Sequence, residues 1–107
     1  MTQAFVLGNG ISRRDIDLTT LNQYGKIYGC NALYREYTPD VLVATDRPIA
    51  AHIQESGYSV QNRFHTRRPF KGSGAQEVPK PYFGYSSGPI AAGLAAIDGH
   101  KLIYLLG

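Results

Sequence analysis

Apolar residues along this chain gather into short runs that end in turn residues. Ala4-Phe5-Val6-Leu7 is followed by Gly8-Asn9-Gly10, and Lys26-Ile27-Tyr28-Gly29-Cys30 by Asn31. Asp40-Val41-Leu42-Val43-Ala44 leads into Thr45-Asp46, and a last run covers Lys101 to Leu106. Such runs predict buried strands of a parallel sheet. Tyr58 to Phe64 alternates weakly and reads as one more strand. Helical spacing separates these runs. Leu18 and Leu21 are three apart, and Ile49 and Ile53 are four apart on one face. Ile90 to Ile97 is small and apolar on all sides, which predicts a deeply buried helix.

Polar punctuation sets the boundaries. Ser12 three residues before Asp15 suits a helix start that ends at Gly25. Asn31 to Glu36 reads as a helical turn stopped by Pro39. Thr45 or Asp46 caps the next helix, with Pro48 in its first turn and Gly57 at its end. Ser86-Ser87-Gly88-Pro89 opens the last helix, which stops at Gly99. Residues 66–85 hold Pro69, Gly72, Gly74, Pro79, Pro81 and Gly84 and form a long irregular loop.

Strands alternating with helices predict an α/β fold, a small Rossmann-like three-layer domain with a mostly parallel sheet of about five strands. Residues 1–107 fit a single domain with right-handed crossovers. Ligands of such sheets sit beyond the carboxyl ends of the strands. Four features fall there: Gly8-Asn9-Gly10, Cys30-Asn31, Thr45-Asp46 and the basic loop after Phe64.

Composition narrows the classes. The chain is 43% hydrophobic and 18% charged, as in globular domains. No apolar run approaches the roughly 20 residues of a membrane span, and no secretory leader is recognised. Cys30 is the single cysteine, which excludes an internal disulfide and suits a cytoplasmic setting. The formal net charge is +3, below the basic excess of a general nucleic-acid binder. Arg63, Arg67, Arg68, Lys71 and Lys80 nevertheless share one stretch opposed only by Glu77. That stretch is either a solvated loop or a phosphate-contacting surface.

The candidate site residues are Gly8, Asn9, Gly10, Ser12, Asn31, Asp46, Arg67, Arg68, Ser86, Ser87 and Gly88. A strand ending in Gly-Asn-Gly exposes backbone N–H groups, and a helix starting at Ser-Ser-Gly-Pro offers free N–H groups and a positive dipole end. Together they suit a phosphate or a ribose. Asn9 and Asn31 are turn residues tolerant of positive φ or amides held at the strand ends. Ser12 is foremost a helix cap. Asp46 caps a helix or holds ribose hydroxyls. Ser86 and Ser87 cap a helix, one of them free to face the ligand. Gly88 and Gly93 allow the last helix to pack closely on the sheet. Arg67 and Arg68 can clamp a phosphate or remain solvated. Tyr82, Phe83 and Tyr85 form a local mini-core or stack on a base. His52, His65 and His100 show no metal spacing; a surface role is the better reading of each, and only His65, bordering the basic loop, is an acid–base candidate. No Cys-x-x-Cys, Gly-x-Ser-x-Gly, P-loop or His-Glu-x-x-His occurs. Arg13 breaks the dinucleotide fingerprint after Gly8-x-Gly10, so no standard NAD site and no cofactor is expected.

In order and approximate spacing, Gly8-Asn9-Gly10-x-Ser12, Ile16-Asp17, Leu21, Cys30-Asn31, Ser86-Ser87-Gly88, Gly99 and Ile103-Tyr104-Leu105-x-Gly107 resemble the nucleotide-binding half of the bacterial sialyltransferases that use CMP-sialic acid. A related pattern occurs in Rossmann-like domains of the hydroxymethylpterin diphosphokinase kind. The resemblance implies that Asn9 and Asn31 contact ribose or phosphate and that Ser87 and Gly88 contact the nucleotide. No position matches that family's general-base histidine. The expected role is therefore a nucleotide- or nucleotide-sugar-binding domain without catalysis, in the manner of the proteins with which some phages sequester a nucleotide signal. Two alternatives stand beside it. One is a glycosyltransferase completed by a partner chain or by Arg67, Arg68 or His65. The other is an interaction module without ligand. An open sheet edge makes a homo-oligomer a further expectation.

Overall fold

The computed structural model describes residues 2–8 and 16–106, and the side chain of Ala32 is not described. The strands are β1 (Gln3–Leu7), β2 (Lys26–Cys30), β3 (Val41–Val43), β4 (Phe64–Thr66), β5 (Gln76–Glu77) and β6 (Leu102–Leu106). The helices are α1 (Leu18–Leu21), α2 (Arg47–Glu55), α3 (Tyr58–Gln61) and α4 (Ser87–Ile97). Short 3₁₀ turns cover Asn31–Arg35 and Lys80–Tyr82. The six strands form one sheet in the order β5-β4-β3-β2-β1-β6, and every pairing is parallel. The domain is thus the small Rossmann-like α/β fold that alternating strands and helices predict.

Side-chain alternation along the strands builds two core layers. Ala4, Val6, Tyr28, Cys30, Val41 and Val43 face Ile90, Ala91, Leu94 and Ala95 of α4. The opposite face buries Leu42, Ala44 and Phe64 against Ala50 and Ile53 of α2. Farther along that face, Leu7, Ile27 and Leu33 meet Leu18 and Leu21 of α1. Helix α4 covers β1, β2 and β3 with the face of Ile90, Ala91, Leu94 and Ala95, but Ala96 and Ile97 are exposed, so the deep burial on all sides that its apolar sequence predicts holds for one face only.

Two boundaries differ from the sequence reading. Tyr58–Gln61 is helical, and the fourth strand begins only at Phe64. Gly57 takes φ 85°, the left-handed turn that ends α2 and starts α3 at once. Val60 therefore points outward, 67% exposed, and the weak alternation of 58–64 does not mark a pleat. The 66–85 segment is less irregular than its prolines suggest. It contributes β5, on the outer edge of β4, and the 3₁₀ turn at Lys80–Tyr82. The Ser12–Asp15 helix start lies outside the described residues. Within them, α1 is capped by Asp17, whose carboxylate accepts from the Thr20 N–H and hydroxyl. Those bonds hold the Asp17 carboxyl below its ordinary pKa.

The far end of α4 is clamped to the sheet by a polar network. Asp98 accepts two hydrogen bonds from the Arg63 guanidinium, at 2.9 and 3.1 Å, and a short one from the Tyr28 hydroxyl. Burial pushes the Asp98 carboxyl up. The Arg63 and Tyr28 hydrogen bonds and the Arg63 and His100 charges outweigh it, so its pKa is lowered. Arg63 also donates from Nε to His65 Nε2 at 3.0 Å.

Candidate functional site

Two strand ends and one helix start meet at a single lip. At the end of β2, Asn31 takes φ 54°, the one positive φ outside glycine among the described residues. Asparagine tolerates this left-handed turn better than most residues. The turn sends the chain sideways into the 3₁₀ segment and leaves the Asn31 side chain at the strand end. At the end of β3, Thr45 precedes Asp46, which caps α2 by accepting the Ile49 N–H at 3.2 Å. Pro48 in the first turn needs no N–H partner there. At the start of α4, Ser86 holds the N-cap position but its side chain makes no capping bond.

Ser87 ties these ends together. Its buried hydroxyl donates to Asn31 Oδ1 at 3.1 Å and accepts the Thr45 backbone N–H at 3.1 Å. The Thr45 hydroxyl lies 3.1 Å from the same oxygen. With one donor and two acceptor positions, that hydroxyl is saturated when Thr45 Oγ1 donates to it. Ser87 therefore neither caps the helix nor faces outward; it orients the Asn31 amide and leaves its NH₂ end as the remaining donor. The serine exposed at the helix start is Ser86.

The other candidates divide. Asn9, Gly10 and Ser12 lie outside the described residues. Gly8 follows β1 and donates its N–H to Leu106 of β6 at 2.8 Å. Asp46 is a cap, with one oxygen on the Ile49 N–H. An added Cβ at Gly88 would meet nothing within 4 Å, so that position is open space. The expectation that Gly93 seats α4 on the sheet is corrected: a Cβ there would stand 2.8 Å from Tyr82 Cζ, so Gly93 seats the Tyr82 ring. Tyr82 and Phe83 pack on the α4 core and make the mini-core that prolines favour, while Tyr85 stays 53% exposed.

The basic stretch also divides. Arg63 is spent on Asp98 and His65. Arg67, Arg68 and Arg47 instead line a cleft of about 690 Å³ beside α2, with Thr45 in its wall. Arg67 is held by the carbonyls of Phe83 and Tyr85, at 2.7 and 2.8 Å, which use Nε and Nη2 and leave Nη1. Among the described residues no ion pair involves any of these three arginines. The other wall is set by Gln54, buried on the inner side of α2. Its Oε1 accepts the Phe70 N–H at 2.6 Å and the Ser73 hydroxyl at 3.1 Å, and its Nε2 donates to Ala50 O.

Sequence reasoning placed Thr45 at a strand end without counting it among the site residues, and did not single out Arg47 or Gln54. Two signals were present. A polar Gln54 shares the buried face of Ala50 and Ile53, and Arg47 stands in a first helical turn, where the dipole disfavours a cation. The expected surface role of His65 is corrected: it is buried in β4, where it accepts a hydrogen bond from Arg63. Burial and the Arg63 charge push its pKa below the ordinary value, with the Glu77 backbone and Asp98 pulling weakly the other way. It accepts at Nε2 and so stays neutral, a structural histidine. Cys30, buried just before Asn31, has its thiol pushed up to about 11 by burial. No metal-ligating cluster and no helix long and apolar enough to cross a membrane occur among the described residues. Comparison with family models, curated proteins and solved structures gives no match.

Proposed function

We propose that this chain is a small nucleotide- or nucleotide-sugar-binding domain without catalysis of its own, its ligand lying across the ends of β2 and β3 against the start of α4. The observation that carries this reading is the Asn31–Ser87–Thr45 junction. It fixes an amide donor beside a helix start whose first N–H groups have no partner within the helix. Exposed Ser86 and the open space at Gly88 let a phosphate or sugar hydroxyl approach that start. The place agrees with the general position of ligands in parallel sheets. The order of motifs along the chain, on which the likeness to CMP-sialic-acid sialyltransferases rests, is a further support for this reading.

Isothermal titration calorimetry with CMP, CDP and the corresponding purine and uridine nucleotides tests the proposal. Saturable heat that Asn31→Ala abolishes, without loss of the folded state by circular dichroism, supports it. Absence of heat with every nucleotide overturns it.

A further inference from the structure

We propose that the cleft of Arg47, Arg67 and Arg68 binds a diphosphate, so that the preferred ligand class is a nucleoside diphosphate or a diphosphate-linked sugar nucleotide. The inference deepens the nucleotide reading and rests on it. Three guanidinium groups line one cleft, and among the described residues no carboxylate lines it. A single carboxylate or phosphate monoanion fills one guanidinium fork, whereas the forks of Arg47 and Arg68 together with the remaining Nη1 of Arg67 match several phosphoryl oxygens. The cleft's volume, about 690 Å³, suits a ligand of nucleotide size.

The cleft is built rather than accidental. Gln54 anchors the Phe70–Ser73 turn to α2, and the Phe83 and Tyr85 carbonyls fix the Arg67 fork with Nη1 left over. Arg47 occupies the first turn of α2 against the helix dipole, an arrangement that an anion beside it relieves. Asp46, its neighbour in the chain, turns one oxygen to the Ile49 N–H. Thr45 joins the two regions, since it bonds Ser87 and also lines the cleft. A ligand with its sugar at Asn31 and Ser86 therefore passes Thr45 on the way to the arginines.

The test is calorimetry at low salt with cytidine, CMP, CDP and inorganic pyrophosphate. It uses the wild-type chain, the Arg47→Ala and Arg68→Ala single variants and their double variant. Both arginines are exposed, and unchanged thermal melting checks that the variants fold. CDP is expected to bind at least roughly tenfold more tightly than CMP, with pyrophosphate competing. The double variant should lose that advantage and bind CDP no better than cytidine. Equal binding of cytidine and CDP, or undiminished CDP binding by the double variant, overturns the diphosphate site and leaves the nucleotide reading standing. Pyrophosphate binding that the double variant loses, with no nucleotide bound, keeps the anion site and ends the nucleotide reading. No heat with any probe overturns both.

Discussion

Ser87 and Asn31, 56 residues apart in the chain, share a hydrogen bond of 3.1 Å that joins the start of α4 to the end of β2. The same hydroxyl takes the Thr45 N–H, so one side chain holds three elements. The bond fixes the direction of an amide at the lip, a function distinct from the fold stability it also supplies.

Ser87→Ala leaves the Thr45 N–H and Asn31 Oδ1 without this partner. Loss of about 1–3 kcal/mol of stability is expected, read by urea denaturation. Any nucleotide affinity should fall as well, since the amide is no longer held. Unchanged stability would show that water replaces the hydroxyl without cost.

Gly88 and Gly93 should respond in opposite senses. Gly93→Ala drives a methyl group against the Tyr82 ring and should cost about 1–3 kcal/mol. Gly88→Ala meets nothing and should gain up to about 1 kcal/mol from helix propensity. The same methyl occupies the proposed approach to the helix start, so nucleotide heat should decrease in the more stable variant. Thermal melting and calorimetry on the pair separate the two effects.

Acidification should destabilise the domain in two steps. The His65 pKa lies below its ordinary 6.5, so the unfolded chain binds the proton first and stability falls as pH drops through that value. The Asp98 pKa lies below its ordinary 3.8, and the contribution of the Arg63–Asp98 clamp, full above that value, is lost as pH falls further. His65→Gln keeps an acceptor for Arg63 but cannot take a proton. It should flatten the first step and spare the second, as followed by melting temperature against pH.

Cys30 should be inert in the native state, because it is buried and its thiol is held at about 11. Iodoacetamide at neutral pH should label it only after denaturation. Prompt labelling of the folded protein would mean that the end of β2 opens.

Much of the architecture was legible because it rests on short-range pattern. Val41-Leu42-Val43 can hardly be anything but a central strand, and Asp46-Arg47-Pro48 signals its own cap. Tyr58–Gln61 was misread because one left-handed glycine redirects a segment whose alternation is weak. Asn31 and Ser87 carried local signals of a turn and a helix start, and both occupy those positions. The bond between them is tertiary and has no local trace. Arg47 and Gln54 joined the cleft only through the turn at Phe70–Ser73, whose docking on α2 no periodicity announces. The five basic residues of one stretch looked alike, yet Arg63 lies in the clamp on Asp98 and Arg67 and Arg68 line the cleft.

The pairing of β1 with β6 bears on how the chain reaches this state. Gln3 lies beside Leu102 and Leu7 beside Leu106, so the second strand partner of β1 is separated from it by almost the whole sequence. Closing so large a loop costs entropy before any contact rewards it. The β1–β2 and β2–β3 pairs can zip early, whereas the β1–β6 seam must form late. During synthesis, water must serve the hydrogen-bonding groups on that side of β1 until β6 has left the ribosome.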